Sequence, residues 1–297
     1  MPTLHIHLKA PWRHKAQAGD VGLFNRLAQA LPGWNLRFHP DTAFHRQLSR
    51  LRTGYSLFHK QDPVGARGLC LRQAYLYPFW RFERSNLRWE FDVARAAFTA
   101  QDIPQTDALR FYAPLRKRYL GTAPITRDGF IFMPLQGHLL SHRSFQSMSP
   151  AQMIEATLEQ DPRPIRATLH PLETYSPVER AALDALHRRF PRFQVVEAAS
   201  LDLLRACDLV VTQNSGMALQ GYLAEKPAIL FGRSDFHHIA GSVPRDGLRA
   251  AFDLARAEPP DFAAYLFWFL RLNAINMACP TTESDIRTRL ANLGWRL

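Results

Sequence analysis

Four polar turns, each following a short apolar run, carry the side chains best suited to chemistry in this chain. Gln213-Asn214-Ser215-Gly216 follows the run 209–212 and opens a helical pattern at 217–223. At such a junction the first helical N–H groups lack partners and the helix dipole is positive, so the turn suits a phosphate or carboxylate. Ser215 and Asn214 can cap the helix or bind the anion, and Gly216 lets a ligand approach the backbone. His170-Pro171-x-Glu173 follows the run 165–169. Pro171 stiffens that turn, His170 can donate to a phosphate oxygen, and Glu173 can accept from a ribose or base. Gln136 ends the run 130–135, with His138, Ser141, His142 and Arg143 close behind; this cluster reads either as a solvated loop or as the wall of a ligand cleft. Asp235-Phe236-His237-His238 follows the run 227–231. Adjacent histidines diverge and no third ligand stands at metal spacing, so Asp235 and His237 are expected to hydrogen-bond a sugar or phosphate, and no metal is expected. The chain has no P-loop, dinucleotide fingerprint, nucleophile elbow or kinase set, which lowers ATPase, dehydrogenase and hydrolase readings.

Strand ends must carry these turns. In open parallel sheets, ligands bind where polar residues gather beyond the carboxyl ends of adjacent strands. Residues 129–134, 165–169, 193–196 and 209–211 read as strands. Ser149-Pro150-Ala151-Gln152 and Ser176-Pro177-Val178-Glu179 read as capping boxes with proline in the first turn, opening helices to about 160 and 189. Upstream, 3–8 alternates as a half-buried strand, Asp20 is placed to cap a helix over 21–31, and 35–39 is a second strand, a β-α-β opening. The stretch 55–111 mixes Tyr75, Tyr77, Phe79, Trp80, Phe82, Trp89 and Phe91 with Arg72, Arg81, Arg84 and Arg88. It reads as a core layer with exposed arginines, with stacking on sugar rings or bases as the alternative. Residues 119–126, with Gly121 and Pro124, are the best linker. The expected organisation is a basic acceptor-side domain over 1–122, a nucleotide-sugar-binding α/β domain over 123–260, and a helical segment over 261–297 that packs across both.

Composition limits the partners. The net charge is +11, and the first 120 residues hold 19 Lys and Arg against 8 Asp and Glu, so the remainder is balanced. An excess so confined favours an anionic partner for that part: a membrane surface, an acidic glycan or a nucleic acid. Nucleic acid is not expected, because no recognition helix or RNA-binding signature accompanies the charge. No signal peptide or membrane-spanning run is legible, and Cys70, Cys207 and Cys279 fit neither a disulfide framework nor a zinc pattern, so a reducing cytoplasm is expected.

Together, Phe130–Gln136, the His170-Pro171-x-Glu173 turn, Val211–Gly216 and Lys226–Gly232 resemble the capsule polysaccharide biosynthesis family, which includes bacterial Kdo transferases. The resemblance covers about 129–240; the N-terminal part matches in outline. It implies a GT-B-type fold, α/β with two Rossmann-like domains facing a cleft. It also implies a nucleotide-sugar donor, such as CMP-Kdo, held by the second domain. His170 and the Ser215 turn would meet the donor phosphate and Glu173 would lie near the nucleoside, without metal or other cofactor. The implied acceptor is an anionic glycan or glycolipid, reached in the cytoplasm at the inner membrane face. One departure stands out. Family members with transferase activity carry acidic residues soon after the glutamine matching Gln136, and here Gly137–His142 holds no carboxylate. Transfer needs a base or nucleophile, so the candidates are Asp20, His138 and His142. The alternatives are a non-catalytic module binding anionic polysaccharide or lipid, or a non-glycosyl transferase on the same fold.

Overall fold

Twelve strands build two six-stranded sheets in the computed structural model, which describes residues 1–297. The strands are β1 (Thr3–Leu8), β2 (Asn35–Pro40), β3 (Tyr55–His59), β4 (Gly68–Gln73), β5 (Phe79–Glu83), β6 (Ile131–Pro134), β7 (Ile165–Thr168), β8 (Phe193–Val195), β9 (Leu209–Thr212), β10 (Ala228–Leu230), β11 (Gly241–Ser242) and β12 (Ile275–Asn276). The chain divides into two units: unit 1 is Met1–Ala96 with Trp268–Leu297, and unit 2 is Ala97–Phe267. Both are Rossmann-like α/β units, as expected.

Unit 2 has strand order β11-β10-β9-β6-β7-β8, all parallel. Counted from β6, this is the doubly wound order 3-2-1-4-5-6, and it reverses between β6 and β9. The inner strands read as continuous apolar runs because helices cover both faces; every residue of β6 and β9 is buried. Helices Pro150–Gln160 and Pro177–Arg189 start at the expected capping boxes. Ser149 accepts from the Gln152 N–H and Ser176 from the Glu179 N–H, and each returning side chain accepts from the cap N–H. Each box is worth about 1 kcal/mol. Met153, Ile154 and Leu158 of the first helix, with Leu183 and Leu186 of the second, fill the core against Ile131, Met133 and Ile165.

Unit 1 has order β12-β5-β4-β3-β1-β2 and reverses between β1 and β3. Strands β2, β1, β3 and β4 are parallel; β5 runs antiparallel to β4, and β12 to β5. Leu4, Ile6 and Leu8 face a core shared with Phe24 and Leu27 of helix Gly22–Ala30 and Ile286 and Leu290 of helix Thr282–Asn292. The intervening His5 and His7 face the other way, as period two requires.

The structure corrects several expectations. A helix not foreseen, Ala10–Gln17, follows β1 directly. Asp20 is exposed and caps nothing: the next helix is Gly22–Ala30, and its N-cap is Val21 without a side-chain bond. The arginines of the aromatic stretch are not uniformly exposed, for Arg81 is 3% exposed and lies over the Phe269 ring. The units part at Ala96/Ala97, upstream of the 119–126 stretch. Helix Gln105–Leu120 belongs to unit 2 because Tyr112 donates to the Leu223 carbonyl and Arg205 holds the Leu120 carbonyl. The segment 261–297 is likewise split. Helix Phe262–Leu266 lies in unit 2, while the π-helical Phe267–Leu272 spans the boundary and the rest lies in unit 1. All three cysteines are free.

Candidate functional site

The carboxyl ends of β10, β9, β6 and β7 lie side by side, and each carries one of the four polar turns. The two inner turns are joined directly. Gln136, just past β6, donates from Nε2 to Asn214 Oδ1, just past β9, at 3.2 Å. Arg143 Nη2 donates to Gln136 Oε1 at 3.1 Å, and Asn214 Nδ2 donates to the Arg233 carbonyl at 3.2 Å. A chain of hydrogen bonds, Arg143 to Gln136 to Asn214 to Arg233, thus crosses the switch point and fixes both amide orientations.

Beside this chain lie polar atoms with unmet bonding capacity. Arg143 Nε, Gln146 Nε2 and Gln213 Oε1 are buried without a partner. Gln146 Oε1 accepts from the Arg143 N–H at 2.7 Å, and Gln213 Nε2 donates to the Met148 carbonyl at 3.1 Å, so each amide is held at one end only. Orphaned buried polar atoms are uncommon in proteins and gather where a ligand or ordered water completes them.

Ser215 caps the eight-residue helix Gly216–Leu223, its hydroxyl accepting from the Met217 N–H at 3.3 Å. The cap occupies one N–H, and the Gly216 N–H remains at the positive end of the dipole. His170 is exposed; its Nδ1 accepts from the Leu172 N–H at 3.2 Å, which leaves Nε2–H as a donor. Pro171 forms the turn between them. Glu173 is exposed and rests on Gly137: a Cβ built at Gly137 would fall 2.4 Å from Glu173 Oε2.

The turn after β10 is placed differently. Asp235 is fully buried, so a ligand at the open edge does not touch it. His237 donates from Nδ1 to the Ser234 carbonyl at 2.8 Å and stacks on His238, and burial lowers its pKa. Its Nε2 is an acceptor, suited to a sugar hydroxyl and not to a phosphate oxygen. No group of three or more His, Cys, Asp or Glu is arranged to hold a metal ion.

Of the candidate bases, Asp20 lies in unit 1 and the two histidines in unit 2. His138 is exposed with φ 62° and acts electrostatically on Glu179, whose pKa is lowered by the N–H groups of Ser176 and Leu139 that it accepts. His142 donates from Nε2 to the Gln146 carbonyl at 2.9 Å, so Nδ1 carries the lone pair and can take a proton. Gln146 and Arg233 were not foreseen as site residues, and Arg143 was seen only as part of a polar cluster; their signal is contact across strands, which spacing does not carry.

No protein-family model matches the chain, and no curated protein does. Solved structures do. The β-Kdo 2,7 transferase of Thermosulfurimonas dismutans KpsC is similar over 99% of this chain and 100% of that one, with 14% identity and a TM-score of 0.55. The fold is of the GT-B type, with two Rossmann-like α/β units. The β-Kdo 2,4 transferase of the same KpsC aligns over 89% of this chain and 88% of that one, with 13% identity and a TM-score of 0.45. A UDP-GlcNAc 2-epimerase of Methanocaldococcus jannaschii, solved with UDP-GlcNAc and UDP, aligns over 99% of this chain and 100% of that one at 9% identity and a TM-score of 0.39.

Proposed function

We propose that this protein is a metal-independent glycosyltransferase of surface-polysaccharide assembly. It would take a nucleotide-activated sugar, such as CMP-Kdo, at the switch point of unit 2 and pass the sugar to an anionic glycan or lipid-linked acceptor. The observation that carries the reading is the Arg143–Gln136–Asn214 chain, with buried, half-satisfied amides beside it, at the place where doubly wound sheets bind ligands. Arg143, His170 Nε2–H and the Gly216 N–H supply donors for a nucleotide phosphate, so the leaving charge can be met without a cation. Glu173 accepts from the nucleoside, and His237 Nε2 accepts from a sugar hydroxyl. His142, with its tautomer set by the Gln146 carbonyl, is the proposed base for the acceptor hydroxyl.

The acceptor side rests on charge. Unit 1 contains 19 Lys and Arg against 8 Asp and Glu, which is the whole net charge of the chain, and unit 2 is neutral. No helix is long and apolar enough to cross a membrane. Attraction of a basic surface to anionic lipid supports work at the cytoplasmic face of the inner membrane. A panel of CMP, CDP, UDP and GDP sugars, assayed for nucleotide release with and without acidic oligosaccharide acceptors, tests the reading. One donor should turn over faster with acceptor, and His142→Ala should abolish turnover while sparing nucleotide affinity. The missing carboxylate between Gly137 and His142 favours one second reading, a module that binds the nucleotide or glycan without turnover. Nucleotide binding with no release from any donor would select it.

A further inference from the structure

One helix of unit 1 turns its apolar side chains outward. Helix Ala43–Leu48 follows β2 and contains no buried residue. Its coil runs on through tighter 3₁₀-type bonds, in which the N–H groups of Ser49, Arg50 and Leu51 donate to the carbonyls of Arg46, Gln47 and Leu48. Phe44, Gln47, Arg50 and Leu51 therefore recur along one side of the coil. All four are exposed, Phe44 at 68% and Leu51 at 84%. Single exposed apolar residues are ordinary, but two large ones on the outer side of a helix that buries nothing mark an interaction surface.

The inner side of the coil is tied to the sheet by polar bonds. Ser49 Oγ meets His7 Nε2 at 2.9 Å, and His5 Nε2 donates to the Thr53 carbonyl at 3.0 Å. Gly54 closes the segment against β1, where a Cβ would fall 2.2 Å from the Thr3 carbonyl oxygen. The segment thus lies over the face of β1 and runs back toward the amino end of that strand. Its surroundings are basic. Register places Arg37 beside His5 on the same face, and Arg52 acts electrostatically on His5, His7 and His39. Arg37 and Arg50 are exposed, and Arg46 and Arg52 are half-buried. Asp41 is the one acidic residue between Val21 and Lys60. Its carboxylate is 2% exposed and is taken by Arg46 at 2.8 Å, so the charge offered to solvent is positive.

We infer that the coil 43–51 is a membrane-docking surface, in which Phe44 and Leu51 enter the headgroup region of an anionic bilayer and Arg37, Arg50 and Arg52 meet lipid phosphates around them. The pairing of apolar tips with unopposed guanidinium groups selects this partner. A bilayer surface offers both an apolar interior and negative charge. An acidic polysaccharide offers only the charge and would leave Phe44 and Leu51 in water. The inference rests on the reading above that unit 1 meets an anionic membrane, and it names the residues that make the contact; it does not depend on the donor site of unit 2.

Co-sedimentation of the full-length protein with vesicles at about 0.15 M salt tests the surface. Vesicles of phosphatidylglycerol and phosphatidylethanolamine should bind it, and vesicles of phosphatidylcholine alone should not. Phe44→Ser and Leu51→Ser leave the net charge unchanged and should each weaken binding about tenfold. Arg37→Gln and Arg50→Gln should each weaken it about fivefold. All four side chains are exposed, so urea midpoints should stay at the wild-type value. In the wild-type protein the amides of 44–52 should exchange hydrogen more slowly on anionic vesicles than in solution. Equal vesicle binding by the Phe44→Ser/Leu51→Ser double variant, or unchanged exchange at 44–52, overturns the proposal and leaves charge elsewhere as the membrane contact. Binding of a soluble acidic polysaccharide in place of vesicles overturns it in favour of a glycan surface. No vesicle binding at all removes the membrane reading with it, whereas nucleotide release with a soluble acidic acceptor reports on the transferase reading separately and should be the same in the double variant.

Discussion

Gln136 and Asn214 meet at 3.2 Å across the point where the unit 2 sheet reverses its winding. The contact joins the turns after β6 and β9 and orients two amides, and Arg143 extends it. A guanidinium binds through a planar fork that an ammonium lacks. Arg143→Lys should therefore weaken nucleotide binding about tenfold or more, and Gln136→Ala should do the same by releasing both neighbours. Calorimetry with CMP and UDP reads this directly, and the double variant should lose less than the sum because the residues share one network.

Gly137 and Glu173 give an independent lever on the same strand ends. A methyl at 137 would press on the Glu173 carboxylate, the far end of a movable side chain. Gly137→Ala should change unfolding free energy by less than about 1 kcal/mol and still weaken nucleotide binding severalfold. Glu173→Ala should weaken it similarly, and the pair should do no worse than either alone.

Acid should destabilise unit 1. His7 is held near 3, and His39 and His59 near 4, with burial the leading cause in each and neighbouring cations or histidines adding to it. In the unfolded chain these groups protonate near 6.5. Stability is therefore full above about pH 6.5 and falls as pH drops toward 4, up to tenfold in the folding equilibrium per pH decade for each histidine. Glu83 works in the opposite sense: burial raises it to about 7, so its contribution is present below about 4.5 and lost as pH rises through 7. The histidines outnumber it, so urea midpoints should fall between pH 6.5 and 4. His59→Phe, which can keep the stack on Trp12, should flatten the fall.

Arg289 secures the open part of β5. It donates to the Phe82 carbonyl at 2.8 Å and pairs with Glu83 at 3.1 Å and Asp92 at 2.7 Å. Arg289→Met strands a buried carboxylate and should cost about 2–4 kcal/mol near pH 8. The loss should be smaller near pH 6, where Glu83 takes a proton, and Glu83→Gln should recover part of it. Urea unfolding at the two pH values measures both.

What the sequence disclosed was local. The strands of unit 2, the Ser149 and Ser176 boxes and the Ser215 cap are written in neighbouring residues, because burial on both faces and capping each need only a few adjacent side chains. The four turns were legible as polar punctuation after apolar runs. Their meeting at one edge was not, since strand order is set by long-range pairing. Gln146 carries no local signal: its role comes from its carbonyl, which holds His142, and its Oε1, which accepts the Arg143 N–H. Helix Ala10–Gln17 escaped because half of its residues are polar and only Ala16 is buried, which gives no apolar period. The parting of the units was misplaced because helix Gln105–Leu120, with Pro114 inside it, is anchored by contacts to residues about a hundred positions away. The charge reading gained definition instead: the basic excess of the first 120 residues coincides in number with that of unit 1.

A crystal of the full chain soaked with CMP tests the donor site most directly. The phosphate should lie against Arg143, His170 and the Gly216 N–H, with the nucleoside over Gly137 and Glu173 and the orphaned amides of Gln146 or Gln213 newly bonded. A nucleotide bound elsewhere in unit 2, or none at saturating concentration, would contradict it.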